Sequence, residues 1–420
     1  MRLLQIDLRS WVVSFGSRIM NWVFPGQGGR IAYKIALAFI TRLRALYKRR
    51  GIVQGTAVIW LRPGHVVTEP FEWIRPSEGQ ILVENDFTLV STGTERAMFR
   101  GLPNTQVYYP SYPGYSGAGK VVDIGSKKSK YEIGDRVAGP MPHASLATVN
   151  EYEVFPIPDN VSSEVASFNQ LAIIALQGLR KVQPLLGKSI AVVGQGIIGQ
   201  LVTHFAYLSG AYRIVAIAHS TDKFRFSRES GATETITAES ASTQIEKLNL
   251  DIVIEATGHS SAIAQSMNYV KPEGKTVLLG SPRGLTEIDL AGLMSEKSIE
   301  IIGAHIRNIH ESESSNNSWD YRREGEAFFS LIASGNLQVE HLISERLNPA
   351  EAAWFFKRLA RLNGKEKLAT LFDWNKLSRN QRFKSRSLFS LPHELGTRNQ
   401  LFIQNIDPRP EYCWNLHPDK

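Results

Sequence analysis

The chain has 420 residues, of which 43% are hydrophobic and 21% are charged, as is typical of a soluble globular protein with room for two domains. Its net charge of +8 sits at the two ends: residues 1–50 carry +9 and residues 375–420 carry +4, which leaves −5 for residues 51–374. This distribution argues against a nucleic-acid role for the central part. A single cysteine, Cys413, excludes an internal disulfide and any zinc site with two thiolates, and favours a reducing, cytoplasmic location.

The first predicted element is a basic amphipathic helix within an N-terminal extension, residues 1–53. Its apolar side chains recur every three or four positions, as on one face of a helix: Ile31, Ile35, Phe39, Leu43 and Leu46. Together with the positive charge, this face predicts peripheral contact with an anionic membrane surface. The same pattern also fits a solvated helix packed on the body or a partner, or a transit peptide. No apolar run is long enough to span a membrane.

Residues 54–169 contain short β-rich runs separated by glycine and proline. The runs are GTAVIWL, GQILVENDFTLVSTG, AGKVVDIG, GDRVAG and EYEVFPIP. Such spacing predicts an antiparallel, barrel-like unit.

From residue 162 the pattern changes to a helix and then to strands and helices in alternation. The strand-like runs are SIAVVG, RIVAIA, DIVIEATG and GKTVLLGS. Alternation of this kind predicts a parallel sheet with crossover helices. Residues 318–374 are predicted to be mostly helical and to end in the strand-like run LATLFDW, and residues 375–420 to form an irregular basic tail.

The strand SIAVV leads directly into GQGIIG, which contains Gly194, Gly196 and Gly199 and opens a helix. In this context the three glycines provide a tight turn, close backbone approach to a pyrophosphate and close packing of helix on strand. The pattern therefore predicts a dinucleotide site with the phosphates at the helix N-terminus. The alternative is a glycine-rich turn without a ligand.

The end of the second strand predicts which dinucleotide binds. An acid about 20 residues beyond the fingerprint would bind the ribose hydroxyls of NAD, but Ala218 lies there, 19 positions after Gly199. Ser220 and Lys223 follow, and they could donate to a 2′-phosphate. NADP(H) is therefore expected to be preferred over NAD(H), unless these polar residues only cap the next helix.

A second glycine cluster has the letters of a phosphate-binding loop. Gly114, Gly119 and Lys120 match G-x-x-x-x-G-K, but Val121 replaces the Ser or Thr that would hold magnesium, and a β-branched run follows. The cluster is therefore predicted to lead into a strand.

The order of these parts resembles the medium-chain dehydrogenase/reductase superfamily. GYSGAGKVVDIG followed by YEIGDRVAG is similar to its signature, and the likeness extends over residues 54–374. It implies an α/β protein in which a Rossmann coenzyme domain with a parallel sheet, residues 170–310, is inserted in a GroES-like β-barrel catalytic domain, residues 54–169 and 311–374. It also implies NAD(P)-dependent oxidoreductase activity on a small molecule, and a homodimer.

Departures from the superfamily pattern concern its catalytic zinc. STGTERAMFRG has Glu95 in the place of a cysteine ligand, Tyr115 and Ser116 replace a His-Glu pair, and Asn169 lies near the third ligand's place. An open zinc site with three protein ligands cannot be assembled from these residues. STGTER and PGY are similar to the zinc-free bacteriochlorophyllide dehydrogenases and their relatives. The expectation is that no metal is bound.

The resemblance also implies cofactor contacts beyond the fingerprint. Arg96 matches a residue that contacts the pyrophosphate in many relatives, with surface exposure as the alternative. Thr257, Gly280 and Ala304 match positions that line the nicotinamide, mostly through backbone atoms.

Without zinc, an acid or electrophile must act on the substrate oxygen. Tyr115 is the first candidate because its hydroxyl could donate or relay a proton from the place of a ligand. Glu95 is second, with Arg96 keeping it ionised, and His143 is third. Each also has a structural alternative: a packed aromatic, an ion-pair partner and a loop residue.

Three functions follow from this pattern. The first is an NADP(H)-preferring, zinc-independent oxidoreductase of alcohols or ketones. The second is an enoyl or quinone reductase, in which hydride adds to an activated double bond and water supplies the proton. The third is a dinucleotide-binding protein without turnover, held in place by its basic ends.

Overall fold

A computed structural model describes residues 51–309, 319–362 and 367–385. Among these, the residues from Gln54 to Lys384 belong to one compact unit. The predicted basic helix with its membrane contact lies outside the described residues, as do Cys413 and most of the predicted tail. In the described ranges, no helix combines the length and the apolarity that a membrane span requires.

The N-terminal part of the unit is rich in antiparallel strands. Strands β1 and β2 are neighbours, β3 pairs with β4 and β6, β4 with β5, and β5 with β7. Its elements are β1 (Ile52–Arg62), β2 (His65–Ile74), β3 (Gln80–Leu89), α1 (Thr92–Phe99), β4 (Gly117–Ile124), β5 (Arg136–Gly139), β6 (Leu146–Asn150) and β7 (Phe155–Pro156). The predicted antiparallel unit is therefore confirmed.

Gly119 lies inside β4, where the strand approaches β3 closely. A β-carbon at Gly119 would lie 2.1 Å from the backbone oxygen of Glu84, so no other residue fits there. The glycine cluster around it leads into a strand, as predicted, and it forms no phosphate loop.

The middle of the chain forms a six-stranded, wholly parallel sheet with the order β10-β9-β8-β11-β12-β13. This is the 3-2-1-4-5-6 order of a Rossmann sheet, as the sequence predicted. Its elements are α2 (Ser163–Ala166), α3 (Asn169–Arg180), β8 (Ser189–Val193), α4 (Ile197–Leu208), β9 (Arg213–Ala218), α5 (Phe224–Glu229), β10 (Glu234–Thr237), α6 (Ala238–Thr243), α7 (Ile245–Leu248), β11 (Leu250–Glu255), α8 (Ser260–Ser266), β12 (Val270–Leu278), α9 (Leu290–Gly292) and β13 (Glu300–Gly303).

The chain then returns to the first sheet. Strand β15 pairs antiparallel with β3 and parallel with β14, which gives the order β14-β15-β3-β4-β5-β7. These elements are α10 (Tyr321–Ala333), β14 (Ile343–Leu347), α11 (Ala352–Arg361) and β15 (Ala369–Asp373). The parallel sheet is thus inserted between two parts of the mixed sheet, and buried side chains of both parts, including Phe155, Phe168 and Phe328, share the largest hydrophobic core.

The first residues of the predicted irregular tail are ordered against the β-rich part. They form the short helix α12 (Arg379–Arg382) and the strand β16 (Lys384–Ser385). Arg382 pairs with Glu84 at 3.1 Å and Asp86 at 3.5 Å, and its Nη2 donates to the backbone oxygen of Asn85 at 3.1 Å. Such long-range charge pairing has no periodic signature in the sequence, and the pattern alone did not reveal this docked segment.

Candidate active site and cofactor crevice

The turn after β8 has the geometry that its glycines predict. Gly194 has a φ of +97°, and a β-carbon at Gly199 would lie 1.8 Å from the backbone oxygen of Gly194. The first position therefore requires glycine for its left-handed backbone, and the third requires glycine for the close contact of helix and turn.

Gly196 is the N-cap of the 12-residue helix α4, and no side chain caps this helix end. A β-carbon at Gly196 would have no protein atom within 4 Å, so the turn is open on this side. Uncapped backbone N–H groups at a helix N-terminus attract anions. These residues therefore fit the pyrophosphate of a dinucleotide.

Thr257 and Gly280 lie beside this turn, at the carboxyl ends of neighbouring strands. A β-carbon at Gly194 would lie 2.5 Å from Cγ2 of Thr257, and one at Gly280 would lie 2.3 Å from the backbone nitrogen of Gly258. The loops after β8, β11 and β12 are thus in contact. In a Rossmann sheet this edge, where the strand order reverses, is the crevice that binds the dinucleotide.

The carboxylate of Glu255 binds the backbone of the loop after β11. It is fully buried and accepts hydrogen bonds from the backbone nitrogens of Thr257 at 2.7 Å and Gly258 at 3.1 Å. Burial raises the pKa of Glu255, and the hydrogen bonds from Thr257 and Gly258 oppose that shift. Glu255 was not predicted as a site residue, although it occupies the end of DIVIE.

Ala304 lies just beyond β13 and is buried. Its nitrogen donates to the oxygen of Leu278 at 3.0 Å, and its oxygen accepts from Nε2 of Gln177 at 2.7 Å. It is therefore placed by backbone bonds at the carboxyl edge of the sheet.

The end of β9 holds Ala218, which is half-buried and carries no charge. Ser220 and Lys223 follow in the next turn, and the hydroxyl of Ser220 donates to the carboxylate of Asp222 at 3.2 Å. Asp222 was not among the residues predicted to affect the choice of cofactor. The carboxylate of Asp222 would compete with a 2′-phosphate for the hydroxyl of Ser220.

Glu95 and His143 form a buried pair. The Nε2 atom of His143 lies 3.0 Å from Oε2 of Glu95, and the two residues are 0% and 1% exposed. The other carboxylate oxygen of Glu95 accepts from the backbone nitrogen of Ser91 at 2.8 Å. Both side chains are therefore saturated by the protein and shielded from solvent.

A hydrogen-bond chain extends from this pair to Trp374. Indole Nε1 of Trp374, which can only donate, lies 3.0 Å from Oγ1 of Thr88, and Thr88 lies 2.8 Å from Nδ1 of His143. Because Trp374 must donate to Oγ1 of Thr88, the hydroxyl hydrogen of Thr88 is left to donate to Nδ1 of His143. His143 then carries its hydrogen on Nε2 and donates it to Glu95.

Gly114 explains how His143 comes so close to the turn before β4. Gly114 has a φ of +93°, and a β-carbon there would lie 2.5 Å from the nitrogen of His143 and 2.7 Å from its ring. Glycine is required at this position by both conformation and space.

Tyr115 is half-buried and is the only one of the three catalytic candidates that retains exposed surface. Its hydroxyl donates to Oγ of Ser91 at 2.6 Å. Because the backbone nitrogen of Ser91 binds Glu95, this serine brings all three candidates into one cluster.

Arg283 lies near Tyr115, and Arg96 lies near Arg283. The pKa of Arg283 is lowered by burial, while the charge of Tyr115 raises it and that of Arg96 lowers it. Arg283 is fixed by its backbone nitrogen, which donates to the oxygen of Gly258 at 2.9 Å. Nη1 of Arg96 donates to the backbone oxygen of Leu362 at 2.7 Å. The charges of Tyr115 and Arg283 therefore interact, and Arg283 is bonded to the loop after β11. Arg283 was not predicted from sequence.

Ser116 and Asn169 bind backbone atoms. The hydroxyl of Ser116 donates to the oxygen of Ser167 at 2.6 Å, and Nδ2 of Asn169 donates to the oxygens of Ala166 at 3.0 Å and Gly117 at 3.2 Å. Within the described ranges, no three His, Cys, Asp or Glu side chains are grouped so that they could hold a metal ion. These donors do not fit a catalytic zinc.

Comparisons with known proteins agree with this geometry. Residues 198–319 match the family model of zinc-binding dehydrogenases. The chain is 26% identical over 211 residues to D-arabinitol dehydrogenase 1 of Uromyces fabae, covering 41% of this chain and 60% of that relative, which is less than two thirds of its length. It is 27% identical over 271 residues to quinone oxidoreductase of Pseudomonas aeruginosa, covering 60% of this chain and 79% of the relative.

Solved structures show the same fold. A Sinorhizobium meliloti 1021 protein described as a zinc-binding dehydrogenase and bound to NADP superimposes with a TM-score of 0.66 at 21% identity. The match covers 77% of this chain and 99% of that chain. The predicted fold class, a Rossmann coenzyme domain within a GroES-like catalytic domain, is confirmed.

Proposed function

We propose that this chain, which belongs to the medium-chain dehydrogenase/reductase superfamily and is an NAD(P)-dependent oxidoreductase of that type, interconverts an alcohol and a ketone with NADP(H) and without zinc. The dinucleotide, when bound, supplies or accepts the hydride. The protein must orient the reactants and move a proton to or from the substrate oxygen.

One observation carries this proposal. The hydroxyl of Tyr115 is 2.6 Å from Oγ of Ser91, and the residue is partly exposed. The superfamily resemblance aligns Tyr115 with a metal ligand of the zinc-dependent members. A phenol here can donate a hydrogen bond to a carbonyl oxygen and a proton to the alkoxide that forms. Arg283 lies close enough for its cation to favour the phenolate left behind.

Glu95 and His143 are connected to the Tyr115 hydroxyl through Ser91. Both are almost completely buried, so neither meets a substrate directly. Glu95 accepts from the backbone nitrogen of Ser91, His143 holds the other oxygen of Glu95, and Oγ of Ser91 accepts from the phenol. We assign them to positioning rather than to proton donation.

Zinc independence is part of the proposal, although the matching family model is named for zinc binding. Nε2 of His143 is hydrogen-bonded to Glu95, and the hydroxyl of Tyr115 is hydrogen-bonded to Ser91. A zinc ion would have to break these bonds and would still lack a thiolate or a third strong ligand among them.

Preference for NADP(H) is supported by Ala218, which leaves the end of β9 without an acid. Ser220 and Lys223 follow within five residues and could donate to a 2′-phosphate. Asp222 acts against the preference, because its carboxylate accepts from Ser220.

An enoyl or quinone reductase is the second candidate. The observation in its favour is the 27% identity to a relative named quinone oxidoreductase. In that reaction water can protonate the product carbon or oxygen, so Tyr115 would have no essential role.

Turnover on a panel of substrates distinguishes the two. Oxidation of NADPH and of NADH should be followed with ketones, enones and quinones, using full-length protein. We expect ketone reduction with NADPH as the faster cofactor. Turnover restricted to enones or quinones would replace the first proposal by the second.

A further inference from the structure

Ser91 is the N-cap of α1 but does not cap the helix with its side chain. A serine in this position ordinarily accepts a hydrogen bond from a backbone nitrogen of the first turn. Here only the reciprocal bond is made, from the backbone nitrogen of Ser91 to the carboxylate of Glu95 at 2.8 Å. The hydroxyl of Ser91 therefore does not cap α1 and can bind another group.

The surrounding backbone aims this hydroxyl at Tyr115. The nitrogen of Val90 donates to the oxygen of Thr370 at 3.0 Å, and the nitrogen of Glu95 donates to the oxygen of Ser91 at 2.8 Å. Ser91 is 6% exposed, and its Oγ receives the Tyr115 hydroxyl at 2.6 Å. The backbone of Ser91 is therefore held in place, and its buried hydroxyl has the Tyr115 hydroxyl as a partner.

A serine hydroxyl has one hydrogen and two lone pairs, so the bond between the two hydroxyls can reverse. In the arrangement seen here, Tyr115 donates to Ser91. When a carbonyl oxygen approaches, Tyr115 can donate to it while Ser91 donates to the phenol oxygen. The O–H bond of Tyr115 then breaks, an O–H bond forms on the substrate alkoxide, and the phenolate keeps the hydrogen bond from Ser91 until solvent returns the proton.

We propose that Ser91 is a positioning residue that promotes proton transfer by Tyr115 through this reversible hydrogen bond. The inference rests on the proposed function. A purely structural role of Ser91 would affect kcat whether or not Tyr115 has its hydroxyl. In the proposed role, the effect of Ser91 on kcat depends on that hydroxyl.

A double-mutant cycle tests that dependence. Ser91→Ala should lower kcat for ketone reduction about tenfold, as expected for the loss of one hydrogen bond to a developing charge, with an unchanged Kd for NADPH. Ser91→Thr keeps the hydroxyl and should stay within about threefold of wild type. In a Tyr115→Phe background, Ser91→Ala should cause no further loss, because the two groups act as a unit.

A measurement without turnover controls for folding and for the reaction class. In protein labelled with ¹³Cζ-tyrosine, the Tyr115 resonance, assigned by its absence from Tyr115→Phe, should shift in Ser91→Ala and stay near its wild-type position in Ser91→Thr. An unshifted resonance in Ser91→Ala overturns the contact and the inference. So does an equal loss of kcat in the wild-type and Tyr115→Phe backgrounds, which would show an independent effect.

Failure of the proposed function gives a different result. Wild-type protein that reduces no ketone contradicts that function before any variant is made. Active wild type that is impaired by Tyr115→Phe and unaffected by Ser91→Ala contradicts the inference about Ser91 alone.

Discussion

The hydroxyl of Tyr115 is the single group on which the proposed proton transfer depends. Tyr115→Phe removes only this oxygen, so kcat for ketone reduction should fall by roughly 10² to 10⁴ while the Kd for NADPH changes little. Steady-state kinetics and fluorescence titration of the cofactor measure the two effects.

A matched control exists in Tyr131, whose buried hydroxyl donates to the oxygen of Val154 at 2.8 Å, on the β-rich part. Tyr131→Phe should lower stability by about 1 kcal/mol and leave kcat unchanged. An equal kcat for wild type and Tyr115→Phe would show that Tyr115 is not the proton donor. It would favour the quinone or enoyl reaction, in which water supplies the proton.

Ala218 determines the second prediction at this scale. A carboxylate there would face a 2′-phosphate at about 4 Å, where like charges repel by roughly 4 kcal/mol at an effective dielectric of 20. Wild type should therefore bind NADPH at least about tenfold more tightly than NADH, and Ala218→Asp should remove or reverse the preference. Fluorescence titration with both reduced cofactors measures the ratio.

Asp222 offers the complementary change. Asp222→Asn removes the carboxylate that accepts from Ser220, so it should increase the preference for NADPH. A wild-type protein that binds both cofactors equally, with a ratio that neither substitution moves, would contradict our interpretation of the β9 turn.

The conformational requirements of the fingerprint were predictable, and the network roles of other residues were not. The fingerprint glycines could be identified because neighbouring letters form a motif, whereas the requirement for glycine at Gly114 was not predicted. Thr88, Ser91 and Trp374 come from separate parts of the chain and meet only after β3 and β15 have paired, so no local pattern marks them. Tyr115, Glu95 and His143 were named from sequence as alternative candidates, and their contacts with one another could not be predicted from it.

At the scale of elements, helix α4 packs its buried His204 near His341, in the segment that follows α10. Burial and the charge of His341 lower the pKa of His204 from 6.5 to about 4, and burial also lowers the pKa of His341. Between pH 6.5 and 4 the unfolded chain therefore binds more protons than the folded chain. The free energy of unfolding should decrease as the pH falls through this window, by roughly 2 to 3 kcal/mol from His204.

Urea unfolding at pH 7 and pH 4.5 tests this expectation. His204→Gln removes the titrating group and should flatten the dependence, whereas His65→Gln, at an exposed position on β2, should not. A slope that His204→Gln leaves unaltered would show that other groups control acid stability.

Prediction of the elements succeeded where their periodicity was long. Strands β8, β9, β11 and β12 and the helices α4, α5 and α8 were identified, since each of these buried strands is a continuous apolar run bounded by glycine or charge. Helices α1, α6 and α7 and strands β2, β6, β10, β13 and β14 were missed. They are short or partly exposed, and tertiary pairing defines them: β6 with β3, and β14 with β15.

For the whole molecule, the first expectation is metal independence. Elemental analysis of purified protein should find no stoichiometric zinc, and chelators should leave activity intact, because Glu95 and His143 satisfy each other's hydrogen-bonding groups. Zinc at one ion per chain, removed together with activity, would contradict the assignment.

The second expectation concerns residues 1–50, whose net charge is +9. Each Lys or Arg near an anionic surface contributes about 1 kcal/mol, and salt screens the attraction. Sedimentation with phosphatidylserine vesicles should therefore retain the full chain at low salt and release it at high salt. A chain lacking residues 1–50 that sediments equally well would refute this role.

Arg382 has a practical consequence for anyone who shortens this protein. A cut after residue 374, where the sequence pattern loses its period, would remove the cation that lies against Glu84 and Asp86 and leave two neighbouring carboxylates facing each other without it. It would also remove the backbone oxygens that accept from Thr56 and Ser145. The minimal catalytic fragment should therefore extend through Lys384, and a fusion partner attached before that point would replace part of the fold.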